Sequence, residues 1–180
     1  MSSMISRIAL AGLLTLTPIA AHADGMESAG QGIAIALPLL AGGLTVYKRD
    51  WTGTAELAVD GVATVGTAYI LKSLIKEQRP DKSDFKSFPS DTAALAFAPA
   101  QFLWDRYGWE YGVPAYLAAG FVGYSRVDAK KHHWWDVATS AGIAFAFGKL
   151  IDTEYRPSSK FDYHVAASTD SVYAELNYRF

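Results

Sequence analysis

The chain contains no cysteine. Disulfide bonds therefore cannot contribute to its stability, and an oxidising compartment makes no difference to it. A large excess of charge of either sign is also missing, since 16 Lys and Arg face 18 Asp and Glu, giving a formal net charge of −2 and a pI near 6.1. The chain has no basic field for binding nucleic acid, which we exclude as a partner.

Long hydrophobic spans are scarce in the body of the chain. Residues 31–47 are uncharged over 17 positions, which is at the lower limit for crossing a bilayer. Three shorter apolar stretches, at 92–104, 111–125 and 137–148, predict buried helices of a bundle. Trp and Tyr residues cluster at the ends of these segments, as they do at membrane interfaces and also in protein cores. The pattern predicts membrane association and leaves open whether the helices span the bilayer.

The first 23 residues resemble a secretory signal peptide. Arg7 precedes an apolar run over residues 8–19, and Ala21 and Ala23 are small residues at the positions that a signal peptidase reads. A mature chain would then begin near Asp24, and the alternative is an uncleaved first membrane helix. The pattern predicts a protein of the bacterial cell envelope, periplasmic or membrane-associated, with the outer membrane as one alternative.

The rest of the chain is long enough for one domain. Removing 23 residues from 180 leaves 157, which can bury about two-thirds of the surface that the unfolded chain exposes. Residues 24–157 predict a mainly α-helical bundle of about five helices. Residues 158–180 predict a short β-hairpin that turns at residues 168–171, because apolar and polar side chains alternate strictly in its second half. The apolar side chains of that half are Val172, Ala174, Leu176, Tyr178 and Phe180.

Two cationic side chains lie near the end of a predicted helix. Residues 54–78 have apolar positions at near-helical intervals, and Pro80 ends the pattern. Lys72 and Arg79 are seven residues apart, or two turns along one face, so both cationic groups are expected to converge at the C-terminal end of this helix. Such a pair predicts a site for a multiply charged anion.

A histidine and a carboxylate follow later in the chain. Five residues separate Arg126 from His132, and Asp136 lies four beyond His132, near enough on one helical face to accept a hydrogen bond from a ring nitrogen. That bond would fix the tautomer and leave the other nitrogen free to attack. Ser90 is a good N-cap for a helix that begins at Asp91, and helix N-termini bind anions through their N–H groups. Together these residues predict phosphoryl transfer.

The spacing of these residues resembles two motifs of a known family, the type-2 phosphatidic acid phosphatase and vanadium haloperoxidase superfamily. Its first and third motifs are matched completely, by Lys72, Arg79 and Pro80 and by Ser125, Arg126, His132 and Asp136. The middle motif of the family is Pro-Ser-Gly-His, whereas residues 89–92 are Pro-Ser-Asp-Thr. The resemblance covers residues 72–136 and implies the helical bundle of that family, so that residues 24–157 would be a phosphatase-like domain.

The resemblance also implies a role for each matched residue. His132 would be the nucleophile that becomes a phosphohistidine, and Asp136 would orient it. The phosphoryl oxygens would be bound by Lys72, Arg79, Ser90 and Arg126. Three cationic side chains would do the work that magnesium does elsewhere, so we expect no metal and no cofactor.

The general acid is left unassigned, because the family's histidine in the middle motif is missing. Thr92 stands in its place, and a threonine hydroxyl is a poor general acid. Three alternatives are open: Asp91 protonated through a raised pKa, His133 beside the nucleophile, or a leaving group that needs no proton. The third would favour diphosphates over alkyl monoesters, because a departing phosphate is less basic than an alkoxide. An ionised Asp91 would repel a bound anion unless Lys72 or an arginine offsets its charge.

We therefore expect an exported, metal-independent phosphatase that hydrolyses a phosphate monoester or diphosphate through a phosphohistidine. The expected substrate is a phosphorylated lipid, such as phosphatidic acid, an isoprenyl diphosphate or a lipid A phosphate, or a small phosphate ester. One alternative is a non-catalytic envelope protein that binds phosphate or lipid headgroups. Others are a vanadate-dependent haloperoxidase, for which the chain is short, and a structural envelope protein that acts through its C-terminal strand.

Overall fold

Five α-helices and a pair of strands form the described part of the chain. The computed structural model describes residues 23–156, 161–168 and 171–178. The helices are α1 (Ala23–Tyr47), α2 (Trp51–Leu74), α3 (Asp91–Tyr107), α4 (Trp109–Asp128) and α5 (Trp134–Ile151). The strands are β1 (Phe161–Ser168) and β2 (Ser171–Tyr178), which pair in antiparallel register. The prediction of a mainly α-helical bundle is confirmed.

Helix α3 lies at the centre of the bundle and packs against all four other helices. Its surface is made largely of small, fully buried side chains, among them Ala93, Ala94, Ala96 and Ala100. Small side chains let neighbouring helices approach closely and still fill space. A glycine serves the same purpose between α4 and α5, since a Cβ at Gly123 would lie 2.5 Å from Val137 Cγ1. The position of α3 fixes where the ends of its neighbours meet.

Arg106 joins three segments at one end of the bundle. Its Nε and Nη2 each donate to a carboxylate oxygen of Asp50 at a distance of 2.5 Å. Its Nη1 donates to Glu56 Oε2 at a distance of 2.9 Å. These hydrogen bonds lower the pKa of Asp50 to about 2. Nη1 also donates to Thr153 O, just beyond α5. The network ties the turn between α1 and α2 to α3 and to the end of α5.

Helix α2 ends earlier than predicted. Its last residue is Leu74, because the next residue adopts an extended backbone with φ −104° and ψ 113°. Arg79 therefore lies in a loop, and the prediction that Lys72 and Arg79 share one helical face is wrong. The start of α3 agrees with the prediction, since Ser90 is its N-cap.

Two helices are long and apolar enough to cross a membrane, namely residues Gly25–Tyr47 of α1 and all of α2. Only 28% and 22% of their most apolar windows are buried within the bundle. The outward faces carry large apolar side chains, such as Leu39 and Val62 at 69% and 75% exposure. Helices α4 and α5 also expose large apolar side chains, including Leu117 and Leu150, so the prediction of fully buried helices holds only for α3. Such a surface fits membrane association.

A predicted signal peptide and a predicted extension lie at the two ends of the chain. Residues 1–22 of the predicted signal peptide lie outside the described residues. The strands β1 and β2 fall within the predicted C-terminal extension, residues 158–180, and the role of that extension stays a prediction.

Candidate active site

The C-terminal end of α2, the loop after it and the turn before α5 come together at one end of the bundle. We call residues 75–90 the α2–α3 loop and residues 129–133 the α4–α5 turn. Asp81 N donates to Lys130 O over 3.1 Å, and the Lys131 ammonium pairs with the Asp81 carboxylate at 2.8 Å. These contacts bring together the first and third motifs, which are distant in the chain.

His132 is buried in the α4–α5 turn, and a main-chain oxygen holds its ring. Its Nδ1 donates to Ser87 O over 2.7 Å, whereas the nearest oxygen of Asp136 is 3.5 Å from Nδ1. The hydrogen bond of the ring thus goes to Ser87 and not, as predicted, to Asp136. His132 also precedes α5 and shares no helical face with Asp136, because His133 is the N-cap. With the proton on Nδ1, Nε2 keeps its lone pair, and it has no hydrogen-bond partner among the described residues.

Asp136 lies beside this ring and is fully buried. Its Oδ2 accepts hydrogen bonds from Ser87 Oγ at 2.5 Å and from His133 N at 2.8 Å. Burial alone would raise the pKa of Asp136, but the His132 ring 3.5 Å away and hydrogen bonds from Ser87 and His133 outweigh it and hold the pKa below its ordinary value. An ionised carboxylate 3.5 Å from Nδ1 would stabilise positive charge on the ring. Ser87 contacts both His132 and Asp136, and no motif or spacing in the sequence predicted this role.

Lys72 emerges from the last turns of α2 and is 9% exposed. Its Nζ donates to Lys86 O over 3.1 Å and to Asp91 Oδ1 over 3.0 Å. An ammonium has three hydrogens, so one donor remains for a ligand. Burial would raise the pKa of Asp91, but the Lys72 charge outweighs it, and the pKa is lowered. Asp91 is therefore ionised. Lys72 offsets its negative charge, which would otherwise repel a bound anion.

Arg79 lies in the α2–α3 loop and pairs with a carboxylate of the same loop. Its Nε donates to Asp84 Oδ1 over 2.7 Å, and its backbone N–H donates to Asp84 O over 3.0 Å. The same carboxylate accepts from Lys86 N. These bonds hold the side chain in place through Nε, and the two Nη groups have no partner among the described residues.

Arg126 lies in the last turn of α4 and is 5% exposed. Its Nη1 donates to Glu27 Oε1 over 2.8 Å, and its Nε is buried without a partner among the described residues. A buried donor without an acceptor is costly, which makes it a natural place for a ligand oxygen. Its backbone oxygen accepts from His132 N over 3.2 Å, so the main chains of Arg126 and His132 are in contact.

The three cations of the site share one arrangement: each is paired with one carboxylate. The pairs are Lys72 with Asp91, Arg79 with Asp84 and Arg126 with Glu27. We call these three cations, Lys72, Arg79 and Arg126, the phosphate cage, or the cage. Pairing with carboxylates leaves the cage close to neutral in formal charge, while each cation keeps at least one donor that no described residue uses. A phosphoryl group with several oxygens could take those donors at once.

Ser90 connects the cage to α3 and is fully buried. Its Oγ accepts from Ala93 N over 3.3 Å, and its backbone N–H donates to Asp136 O over 3.3 Å. The hydroxyl hydrogen remains available for a phosphate oxygen. The first N–H groups of α3 have no acceptor within the helix, which adds favourable dipoles for an anion.

The three candidates for the general acid differ in their surroundings. The lowered pKa of Asp91 argues against it as a proton donor. Thr92 lines a cavity beside the cage. His133 stacks on Trp135 with 4.3 Å between ring centroids, and its Nδ1 lies 3.5 Å from Glu77 Oε1. Of these three residues, His133 is the one with an imidazole, the side chain that most often serves as a general acid.

The cavity beside the cage has a volume of about 240 Å³ and lies between α1, α2 and α3. Its wall contains Asp91 and Thr92 at the polar end and Ile35, Val65 and Leu95 at the apolar end. A second, almost wholly apolar cavity of about 410 Å³ shares Val65 and Leu95 with the first. The two cavities therefore adjoin at Val65 and Leu95, and the first of them reaches Asp91, the partner of Lys72.

One group of side chains in the described part of the chain could hold a cation. Ligand atoms of Glu77, His133 and Asp136 all lie within 4.8 Å of one another. The Asp136 oxygen nearest His133 is already the acceptor for Ser87 Oγ and His133 N. The donor set thus has internal partners, and the prediction that no metal is needed stays a prediction.

Comparisons with known proteins identify the family of the chain. The model of the PAP2 superfamily matches residues 57–155, which is more than half of the chain. A Helicobacter pylori lipid A 4'-phosphatase is 32% identical over 132 residues, covering 67% of this chain and 67% of that protein. A Porphyromonas gingivalis lipid A 1-phosphatase is 33% identical over 102 residues, covering 52% of this chain and 23% of that protein.

A solved structure has the same fold. The crystal structure of Aquifex aeolicus LpxE superposes with a TM-score of 0.53 at 20% sequence identity, covering 67% of this chain and 83% of that one. The predicted family resemblance is confirmed. The chain belongs to the PAP2 superfamily and is a phosphatase-type member of it.

Proposed function

We propose that the protein removes a phosphate group from a lipid in the bacterial envelope, with lipid A as the substrate class, and that His132 is the nucleophile. The observation that carries this proposal is the buried His132 ring, whose Nδ1 is bound to Ser87 O, which leaves the lone pair of Nε2 free. The turn that holds this ring contacts the segments that carry Lys72, Arg79 and Arg126. The names of both relatives, lipid A 4'-phosphatase and lipid A 1-phosphatase, favour a phosphorylated lipid A over the other candidate lipids.

In the first step, Nε2 attacks phosphorus in line with the bond to the lipid oxygen. The nitrogen–phosphorus bond forms as the phosphorus–oxygen bond breaks, and the lipid leaves as an alcohol once its oxygen is protonated. Free donors of Lys72, Arg79 and Arg126 bind the equatorial oxygens, where charge develops. Asp136, 3.5 Å from Nδ1, stabilises the positive charge on the phosphorylated ring.

In the second step, a water oxygen attacks phosphorus of the phosphohistidine. The nitrogen–phosphorus bond breaks, inorganic phosphate leaves, and the imidazole regains its neutral form with the proton on Nδ1. The water passes one proton to His133, which gave up its own in the first step, and phosphate leaves as HPO4²⁻, so that atoms and charge balance over the two steps.

The proton for the leaving group comes from His133 in this proposal. Asp91 is ionised beside Lys72, and the Thr92 hydroxyl is a poor acid. A lipid A phosphate is an ester of a sugar, and its departing oxygen gains from protonation. With His133 as the acid, the alternative in which the leaving group needs no proton is not required.

The lipid would reach the cage from the bilayer. We propose that α1 and α2 lie in the membrane, since both are long enough to cross it and expose apolar faces. The apolar cavities between α1, α2 and α3 would accept part of an acyl chain. We also retain, as proposals, a signal peptide at residues 1–23, a catalytic domain at 24–157 and a hairpin extension at 158–180.

The test is turnover by the purified full-length protein in mixed micelles. Phosphate release should be measured from lipid A, phosphatidic acid and an isoprenyl diphosphate in the presence of a chelator. We expect release from lipid A and a phosphoenzyme that is stable to alkali and labile to acid. His132→Ala should abolish both while leaving the circular dichroism spectrum unchanged.

Other outcomes would favour the remaining alternatives. Binding of lipid A without turnover, unaffected by His132→Ala, would indicate a binding protein. Bromide oxidation that depends on added vanadate would indicate a haloperoxidase. Release from the diphosphate alone would restore the leaving-group explanation.

A further inference from the structure

The carboxylate that holds Arg126 comes from α1, which carries no residue of the three motifs. Glu27 lies in the second turn of α1 and is 99 residues away from Arg126 in the chain. We propose that Glu27 is a positioning residue for Arg126, so that α1 completes the phosphate site. This inference rests on the proposed function and adds a residue that the motifs do not include.

The contact leaves one edge of the guanidinium free. Glu27 Oε1 accepts from Nη1 of Arg126, while Nε of Arg126 is buried and has no partner among the described residues. A guanidinium is planar, so holding Nη1 fixes the direction of the edge formed by Nε and Nη2. That edge matches two oxygens of a phosphoryl group. Glu27 therefore presents the free edge of Arg126 to a ligand.

Two neighbours of Glu27 on α1 support this contact. Gln31 Nε2 donates to the same Oε1 over 3.2 Å. Gly30, on the same face one turn later, lies against the residue that precedes Arg126, since a Cβ at Gly30 would be 2.0 Å from Ser125 Oγ. The absence of a side chain at Gly30 lets α1 approach α4 closely at the third motif. This approach is what brings Glu27 within reach of Arg126.

A positioning role and a competing role predict opposite effects. If Glu27 only competed with phosphate for Arg126, its removal would tighten phosphate binding and speed turnover. If it positions Arg126, its removal leaves a nearly buried arginine side chain free to adopt other rotamers and to point away from the cage. A misplaced donor loses its contact with the transition state. The burial of Arg126 and its single described carboxylate partner favour positioning.

The test combines single and double substitutions in the full-length protein. The variants are Glu27→Ala, Glu27→Gln, Glu27→Asp, Arg126→Ala and the double variant Glu27→Ala with Arg126→Ala. We expect Glu27→Ala to lower kcat/KM by about 10- to 100-fold, mostly through kcat. Glu27→Asp should restore part of the loss. In the Arg126→Ala background, loss of Glu27 should change kcat/KM by less than about twofold, because the two residues act as one unit.

A matched control and a second measurement keep the outcomes distinct. Glu154→Gln makes the same chemical change at an exposed residue that lines a different cavity, near Arg106, and should leave turnover unchanged. Should Glu27→Ala fail to fold, Glu27→Gln carries the same comparison. Equal losses in the wild-type and Arg126→Ala backgrounds would show a general effect on the scaffold and overturn the proposal, as would faster turnover.

Binding of inorganic phosphate separates this proposal from the proposed function. If the wild type releases no phosphate from any substrate, the proposed function fails. Calorimetry with inorganic phosphate then still reports on the site: weaker binding by Glu27→Ala than by wild type supports positioning, and unchanged or tighter binding overturns it.

Discussion

Nδ1 of His132 donates its hydrogen bond to the main-chain oxygen of Ser87, 2.7 Å away. A side-chain substitution cannot remove a main-chain acceptor. The tautomer that leaves Nε2 free is therefore built into the fold of the α2–α3 loop, and Asp136 contributes charge more than orientation.

This division of roles predicts different effects for the two residues. His132→Ala should abolish the phosphoenzyme and turnover, because no other nucleophile replaces the ring. Asp136→Asn should lower kcat by roughly 10- to 1000-fold and still form a phosphoenzyme, since the Ser87 oxygen continues to hold Nδ1. Rapid-quench measurement of the phosphoenzyme with labelled lipid distinguishes the two. An Asp136→Asn protein without any phosphoenzyme would show that the carboxylate, and not Ser87, sets the tautomer.

Asp91 gives a second prediction, because its pKa is lowered and not raised. An ionised Asp91 cannot donate a proton at neutral pH, so Asp91→Asn should keep kcat within a few-fold of wild type. It should also bind phosphate more tightly, because Lys72 then lacks its carboxylate partner. Steady-state kinetics with inorganic phosphate as a product inhibitor measures both quantities.

A matched change at His133 completes that comparison. His133→Gln keeps a polar side chain but removes the imidazole that is the proposed proton donor, and kcat for a monoester should fall by about 100-fold or more. A fall of that size for Asp91→Asn, with His133→Gln unaffected, would instead make Asp91 the acid.

Much of this site could be predicted from the sequence because its chemistry depends on residue type and spacing. Lys72, Arg79, Arg126 and His132 lie on segments that contact one another at one end of the bundle, and their joint binding of phosphate stays a prediction. Their convergence follows from contacts of the α2–α3 loop with the α4–α5 turn. The helical periodicity of the segment before Arg79 suggested a longer α2, but the local pattern cannot show where the loop begins to bond with distant residues.

The parts that sequence reasoning missed are contacts between residues of ordinary types at no fixed spacing. Ser87 acts through its main-chain oxygen, which every residue possesses. Glu27 reaches Arg126 only because α1 packs on α4, and Asp84 belongs to a loop whose fold depends on its own hydrogen bonds. Tertiary packing determines such pairs, and no local pattern reports it.

Membrane placement of α2 predicts protection of its outward face. The chain has no cysteine, so each single-cysteine variant carries one label site. Val62→Cys, 75% exposed in the middle of α2, should resist a membrane-impermeant maleimide in sonicated membranes, where both faces are accessible. Lys76→Cys, just beyond the end of α2, should react. Both should react after denaturation in detergent, and rapid labelling of Val62→Cys in intact bilayers would place α2 in water.

Asp152, just beyond α5, gives a prediction about stability and pH. Both of its carboxylate oxygens are buried without a hydrogen-bond partner among the described residues. Burial raises the pKa of Asp152 from 3.8 to about 8, and the negative charges of Asp60, Asp105 and Glu56 add to the effect, against the opposing charge of Arg106. The folded protein therefore keeps a proton on Asp152 that the unfolded chain releases.

The sign of the pH dependence follows from that difference. Between about pH 4 and pH 8 the folded state binds more protons at Asp152 than the unfolded state, so this group makes the protein less stable as the pH rises. Asp152→Asn has the shape of the neutral acid and does not titrate. We expect its Tm to equal that of wild type near pH 4 and to exceed it by roughly 3 °C or more at pH 8 to 9. Glu154→Gln, an exposed neighbour, should show no such divergence, and a lower Tm for Asp152→Asn at high pH would mean that the folded protein stabilises the ionised carboxylate.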